Sequence, residues 1–414
     1  VPSLNLLTVF NPSNYWRSGI CSIPWQAIAQ QFQISPEELV LSDLRDLSHQ
    51  PLSAQIDRID PEDPSRDTLI FQLPRPIPPG TEDNVLASTF IRLYRDKPIH
   101  PEIGEPYLEV VYGPDRRERG VRFVNNRLII WFNLIPAPED NERNWFSGSA
   151  SSVQLDRQEM LDPFPAAMGE WLDQDPEKRC MQVNKLQLPG LSYPKSPYYQ
   201  VSLFNHSYRL VSQSSGPVRA TITIASEPFD YMGPDPITGH NRHLLCELYR
   251  VISLYAGADY LIEELFVKGK PKAEEDRVEG AEIVNLDFGL QYFAHMNMGQ
   301  TQEIEQVFPV PDWFAVGSTA EPYAAYGLAT NLHIESVTHP HEGNKSCFSW
   351  QLLPGKSAKC LHLFMRDQPQ GFDARVGHYW YELIYRPLKA EIYHDTAVKS
   401  PIQNNRLVPA RSGK

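Results

Sequence analysis

Leu245-Cys246-Glu247-Leu248-Tyr249-Arg250-Val251-Ile252-Ser253-Leu254-Tyr255 is the stretch on which the fold of this chain turns. A strand points successive side chains to opposite faces. Glu247, Tyr249, Val251, Ser253 and Tyr255 therefore share one face, and Cys246, Leu248, Ile252 and Leu254 share the other, with Arg250 among them. An Arg set in an apolar face demands a partner, because an unpaired buried charge is costly. A structural ion pair is expected for Arg250.

The same alternation recurs outward. Residues 218–225 place Val218, Ala220, Ile222 and Ile224 on a dry face and Arg219, Thr221 and Thr223 on a wetter one. Strands are also read at 199–203, 208–213, 260–268, 283–292, 328–334, 348–353 and 359–366. Runs of long antiparallel strands suit one large sandwich. Upstream, strands are read at 4–10, 68–73, 91–94, 107–112 and 127–135, with a helix over 25–32 entered through Pro24 and a capping box from Ser35 to Glu38. Residues 74–80 read as a proline-rigid connection, and 136–200 as a long excursion containing a helix over 166–172.

Composition agrees. The 414 residues include 37 Pro, which cut a globular chain into short elements, and 19 Tyr, 18 Phe and 8 Trp, which favour sheets. With 38 basic against 51 acidic residues the net charge is −13, which opposes a nucleic-acid groove. No apolar run approaches the roughly 18 residues of a membrane-spanning helix. The five cysteines (Cys21, Cys180, Cys246, Cys347, Cys360) form no CxxC pair, which opposes a disulfide framework or a Cys-based zinc knot. Residues 1–10 lack a signal-peptide pattern, yet the sequence opens on Val1. The expected location is periplasmic or secreted if a leader was removed, and cytoplasmic otherwise. No GxSxG, Walker, GxGxxG or HExxH pattern occurs, which sets aside common serine hydrolases, nucleotide enzymes and zincins.

Two sets of residues carry a family resemblance. One is Gln55-Ile56-Asp57, the acidic loop 60–67 and Thr68-Leu69-Ile70-Phe71; the other is Ser215-Gly216-Pro217-Val218-Arg219-Ala220 followed by Leu248 to Gly257. The N-terminal set resembles the N-terminal β-domain of bacterial proteins found with polysaccharide-degrading enzymes. The later set is similar to the central strands of the galactose-mutarotase-like β-supersandwich, shared by polysaccharide lyases and some glycoside hydrolases. The resemblance implies an N-terminal β-module over 1–112, a large antiparallel supersandwich over 113–395 and a tail over 396–414. It also implies a carbohydrate-active enzyme, with a poly- or oligosaccharide as partner. A lyase cleaving a uronic-acid-containing chain by β-elimination leads. A glycoside hydrolase with paired carboxylates such as Glu247 and Asp235, or a non-catalytic carbohydrate-binding or assembly protein, is the alternative.

A lyase needs a base and a group that neutralises the uronate carboxylate. Tyr208 or His240 is the expected base, and Arg219, His206 or Arg242 the expected carboxylate partner. Asn205, Asn241 and His243, beside them in sequence, are expected substrate contacts, with 231–243 expected as an ordered loop. Trp313, in a proline-held loop, and His378 are expected sugar contacts. The wetter face of the wide sheet is the expected resting place of the sugar. Asp57, Asp60, Glu62, Asp63 and Asp67 have a composition suited to structural calcium, with a solvated acidic turn as the plainer reading. No other cofactor is expected. The C-terminal histidines, His362 included, are read as loop residues.

Overall fold

The computed structural model describes residues 5–48, 50–80, 88–96, 106–112, 118–135, 150–160, 182–193, 196–202, 207–234, 241–271, 288–295, 312–317, 325–331, 334–338, 345–352, 357–366 and 370–393. It is mainly β, built from antiparallel sheets in a β-sandwich fold.

The N-terminal module is a small sandwich. One sheet runs in the order Lys389–Ile392, Leu6–Phe10, Ser88–Arg95, Leu39–Asp43; the other runs Arg17–Pro24, Thr68–Ile77, Ala54–Asp57. Leu7, Val9, Cys21, Ile23, Leu41, Leu69, Phe71 and Ile91 share one apolar core, which the helix Trp25–Phe32 joins through Trp25, Ile28 and Phe32. Pro24 ends the preceding strand and occupies the helix cap position, one residue earlier than a first-turn proline. Ser35 makes no side-chain cap, and Pro36–Glu38 forms a single 3₁₀ turn. Strand Thr68–Ile77 runs on through Pro74 and Pro76, where a rigid connection was expected. Its ladder with Arg17–Pro24 is irregular between Arg17 and Gly19, which oppose Ile77 and Leu73, so the prolines fall where no ladder donor is needed.

A five-stranded meander follows, through Tyr107–Tyr112, Glu118–Val124, Leu128–Asn133, Ala150–Leu155 and Gln158–Glu159. Strand Tyr107–Tyr112 pairs with Glu118–Val124, so a division after residue 112 would cut this sheet. The expected helix over 166–172 and the tail over 396–414 lie outside the described residues.

The wide sheet has eight strands. Seven run in the order Tyr208–Ser215, Arg219–Ser226, Asn241–Tyr255, Tyr260–Pro271, Ala358–Met365, Ala325–Thr330, Trp313–Gly317, and Phe229–Pro234 pairs with the outer half of Asn241–Tyr255. That hairpin stands where 231–243 was expected as a loop. A further five-stranded sheet comprises Ser196–Ser202, Gln182–Tyr193, Phe288–His295, Lys345–Leu352 and Ile334–Thr338.

On the dry face of the wide sheet, Arg250 Nε meets Glu263 Oε1 at 2.5 Å, and both side chains are 1% exposed. This is the ion pair expected for Arg250. His362 lies in the strand Ala358–Met365, not a loop; its Nε2 is 3.4 Å from Glu263 Oε2 and its Nδ1 2.8 Å from the Tyr326 hydroxyl.

Residues 370–380, which gave no helix reading, begin one. Helix Phe372–Trp380 passes into a π turn at Tyr381–Tyr385. Phe372 and Val376, one turn apart, are buried against Ala325, Ala329, Leu361 and Leu363 of the wide sheet. Burying each such side chain is worth about 1.5–3 kcal/mol. Gly327 permits the close approach, since a Cβ there would overlap Val376 Cγ2.

Candidate carbohydrate-contact site

The wetter face of the wide sheet does not carry an open sugar site over its central strands, because the N-terminal module closes it. Ala54–Asp57 and the turn after it lie across Tyr208–Ser215, Arg219–Ser226 and Asn241–Tyr255. Gln55 Oε1 accepts from the backbone N–H of Val218 and of Arg219, each at 2.9 Å, and Gln55 Nε2 donates to the Arg219 carbonyl at 2.8 Å. The Asp57 carboxylate takes Arg219 Nε at 2.5 Å, the Ser214 hydroxyl at 3.0 Å and the Thr221 hydroxyl at 3.2 Å. The Ser212 and Thr223 hydroxyls both donate to the Ile59 carbonyl at 2.7 Å. Lys268 Nζ reaches Asp60 Oδ2 at 2.6 Å. Ile59 adds an apolar contact with Ala225, Tyr249, Val251 and Phe266. The two quoted motifs, Gln55-Ile56-Asp57 and Ser215 to Ala220, thus bind each other.

This corrects two expectations. Arg219 is spent on Asp57 and on the Tyr255 hydroxyl, 2.8 Å from its Nη1, so it serves the fold and not a uronate. The acidic loop is not a solvated turn throughout, since Asp57 and Asp60 are buried against cations. Nor does it gather its carboxylates on one point: Asp63 instead caps the 3₁₀ turn Pro64–Arg66 by accepting from Ser65 N. No group of three metal-ligating side chains occurs among the described residues.

Tyr208 is 4% exposed, with Arg250 lying 6.0 Å from its ring centroid. Burial pushes its hydroxyl up, against the nearby Arg250, which opposes use as a base near neutral pH. Asn205, His206 and His240 lie outside the described residues, as does Asp235. Asn241, Arg242 and His243 open the strand Asn241–Tyr255, opposite Pro234, Gly233 and Met232; their side chains are outside the description. Glu247, the other expected hydrolytic carboxylate, accepts from Arg209 Nη2 at 3.0 Å. Trp313 is partly buried, not the exposed tryptophan expected, because its ring lies against Gly377, where a Cβ would come within 3.0 Å of it.

His378 does reach the surface, and it is joined there by rings from the other end of the chain. Tyr15 lies 5.6 Å from His378 and 6.0 Å from Tyr381, Tyr381 lies 6.0 Å from Tyr385, and Tyr385 stacks on Trp380 at 4.8 Å. His378 and Tyr385 are more than half exposed, as is Trp16 next to Tyr15 in sequence. Glu382 organises the strip: its carboxylate accepts from the Tyr15 hydroxyl at 3.2 Å and stands 3.2 Å from Arg17 Nε and 3.5 Å from His378 Nε2. Burial and the Glu382 charge push the Tyr15 hydroxyl up to about 12, so it stays a donor. Arg17 also donates to the Glu382 and Arg386 carbonyls at 2.7 and 2.5 Å, satisfying the end of the π turn. A row of linked rings edged by a carboxylate and an imidazole suits pyranose C–H faces and hydroxyls together. Sequence reading had reached His378 but not Tyr15 or Trp16. The only local signal was the Asn14-Tyr15-Trp16-Arg17 run after Asn11-Pro12.

No family model matches the sequence, and no curated protein matches it. Solved structures do. The chain is similar over 95% of its length to an alpha-mannosidase from Enterococcus faecalis V583, at 10% identity and a TM-score of 0.50, covering 46% of that chain. It is similar to the same extent to a glycosyl hydrolase family 38 protein from Enterococcus faecalis, at 9% identity and a TM-score of 0.50, covering 48% of that chain. The likeness is one of fold, and the chain spans just under half the length of these structures. It runs to glycosyl hydrolases and gives no support to the lyase side of the resemblance.

Proposed function

We propose that this chain is the β-sandwich part of a carbohydrate-active enzyme of the glycoside-hydrolase kind, and that its ring strip contacts the glycan. The observation that supports this most is the likeness of 95% of the chain to 46% of an alpha-mannosidase, at a TM-score of 0.50. The burial of Tyr208 and the pairing of Arg219 with Asp57 weigh against β-elimination. Asp57 and Glu263 are held by guanidinium groups and serve the fold. Glu382, partly exposed at the strip, is the carboxylate best placed to meet a sugar hydroxyl.

The test is to offer the chain chromogenic glycosides, α-mannosides first, together with oligosaccharides for calorimetric binding. Release of aglycone, or saturable glycan binding that Tyr385→Ala and Trp16→Ala weaken, supports the proposal. Unsaturated uronate products would overturn it, as would neither turnover nor binding across the panel.

A further inference from the structure

A separate feature lies elsewhere on the molecule and is independent of the reading above. A cavity of about 210 Å³ is lined by Arg127, Asp156, Gln158, Asp259, Arg366 and Arg375. Four parts of the fold meet there: the meander, the turn between Asn241–Tyr255 and Tyr260–Pro271, the end of the strand Ala358–Met365, and the C-terminal helix. Asn125 locks the first two together. Its Oδ1 accepts from Arg127 N and Leu128 N at 2.7 and 2.6 Å, and its Nδ2 donates to the Tyr255 and Ala258 carbonyls at 2.7 and 2.9 Å. Gly257 makes the turn possible with a φ of +70°.

Asp259 sits at the base of this junction with its side chain 3% exposed. Its Oδ2 receives Arg127 Nη1 at 2.9 Å and Arg375 Nη2 as well. One buried carboxylate therefore fixes two guanidinium groups, both about one-third exposed, at the cavity wall. Arg127 Nη2 also pairs with Asp156 at 3.3 Å. A guanidinium carries five N–H donors, so Arg127 and Arg375 keep donors beyond these bonds. Among the described residues, Arg127, Arg366 and Arg375 line the cavity beside Asp156 and Asp259. Arg is suited to planar, bidentate recognition of oxyanions, and fixing it in advance lowers the cost of binding. The volume falls below the roughly 300 Å³ at which sites for larger organic ligands begin.

We infer that this cavity binds a small oxyanion of the phosphate, sulfate or carboxylate kind, free or carried on a monosaccharide. Arg127 and Arg375 supply the donors, and Asp259 acts as the positioning residue beneath them.

Removing Arg127 or Arg375 would take one of its two cations from buried Asp259, so the test rests on Gln158, which is exposed at the rim. Calorimetric titrations of the intact chain would use sodium phosphate, glucuronate and glucose. Saturable one-to-one phosphate binding is expected, weakening with added salt. Gln158→Glu should weaken it about three- to tenfold and Gln158→Lys strengthen it comparably, with unchanged thermal midpoints in both variants. Tighter binding of phosphate than of glucuronate assigns a free inorganic anion; the reverse assigns a sugar-borne one. No saturation at millimolar phosphate, indifference to the charge at 158, or glucose binding as well as glucuronate would each overturn the inference.

Discussion

Asp57 and Arg219 meet at 2.5 Å across the boundary between the N-terminal module and the wide sheet, with the Asp57 side chain wholly buried. Breaking a buried pair from one side leaves an uncompensated charge, at a cost of about 3–5 kcal/mol. Asp57→Ala is therefore expected to lower unfolding stability by that amount in urea titrations. An apolar replacement of both partners should recover much of the loss; equal losses in the single and double variants would mean the pair contributes nothing specific.

Gly216 is expected to tolerate no side chain. A Cβ there would stand 2.8 Å from Gln55 Oε1 and 3.2 Å from Gln55 Cβ. The Gln55 amide cannot swing away without losing its bonds to Val218 and Arg219. Gly216→Ala should cost about 1–3 kcal/mol, the usual range for overpacking. Gln55→Ala should remove most of that penalty when combined with it, which a double-mutant cycle would read.

Gly327 and Val376 form another tight contact, between the wide sheet and the C-terminal helix. Gly327→Ala should loosen the helix before the rest of the fold. Faster amide exchange over 372–380 than elsewhere would report it, and Val376→Ala should relieve it in part.

Acid should weaken the fold in two stages. Arg250 and His362, against the opposing effect of burial, hold the Glu263 carboxyl down at about 2 from 4.5. Burial lowers His362 from 6.5, against the neighbouring Glu263. In both cases the unfolded chain takes up protons that the folded chain refuses, so stability falls as pH falls. The His362 contribution begins to go below 6.5, and the Glu263 contribution below 4.5 toward 2. Urea midpoints measured downward from neutral pH should decline through both windows. His362→Gln should abolish the first and leave a smaller second, sustained by Arg250.

The long strands were legible because alternation is a local property. Leu245 to Tyr255 shows it unaided, and Arg250 announced a partner. That partner could not be named, because Glu263 arrives through strand register, which pairs Ile252 with Glu263 and Arg250 with Leu265. The wetter face was legible as polar but not as occupied: hydroxyls at Ser212, Thr221 and Thr223 read the same whether water or Asp57 and Ile59 meet them. The ring strip was half legible for a similar reason. His378 to Glu382 could be seen as a cluster, but Tyr15 lies more than 360 residues away in sequence. Helix Phe372–Trp380 was missed although Phe372, Val376, Trp380 and Leu383 fall at helical spacing, because its aromatic residues and the internal Gly377 weaken the signal.

Lys389–Ile392 pairs with Leu6–Phe10, Leu7 opposite Ile392 and Phe10 opposite Lys389. The first described strand of the fold thus waits for the last described one. During synthesis the N-terminal sheet emerges with one side open, and only the arrival of residues 389–392, far behind it in the chain, closes it. Until then Leu6–Phe10 is an unprotected edge able to recruit another strand. Chains stopped before residue 389 should therefore self-associate through this edge, so that the join works as a check that everything between the two strands has been made.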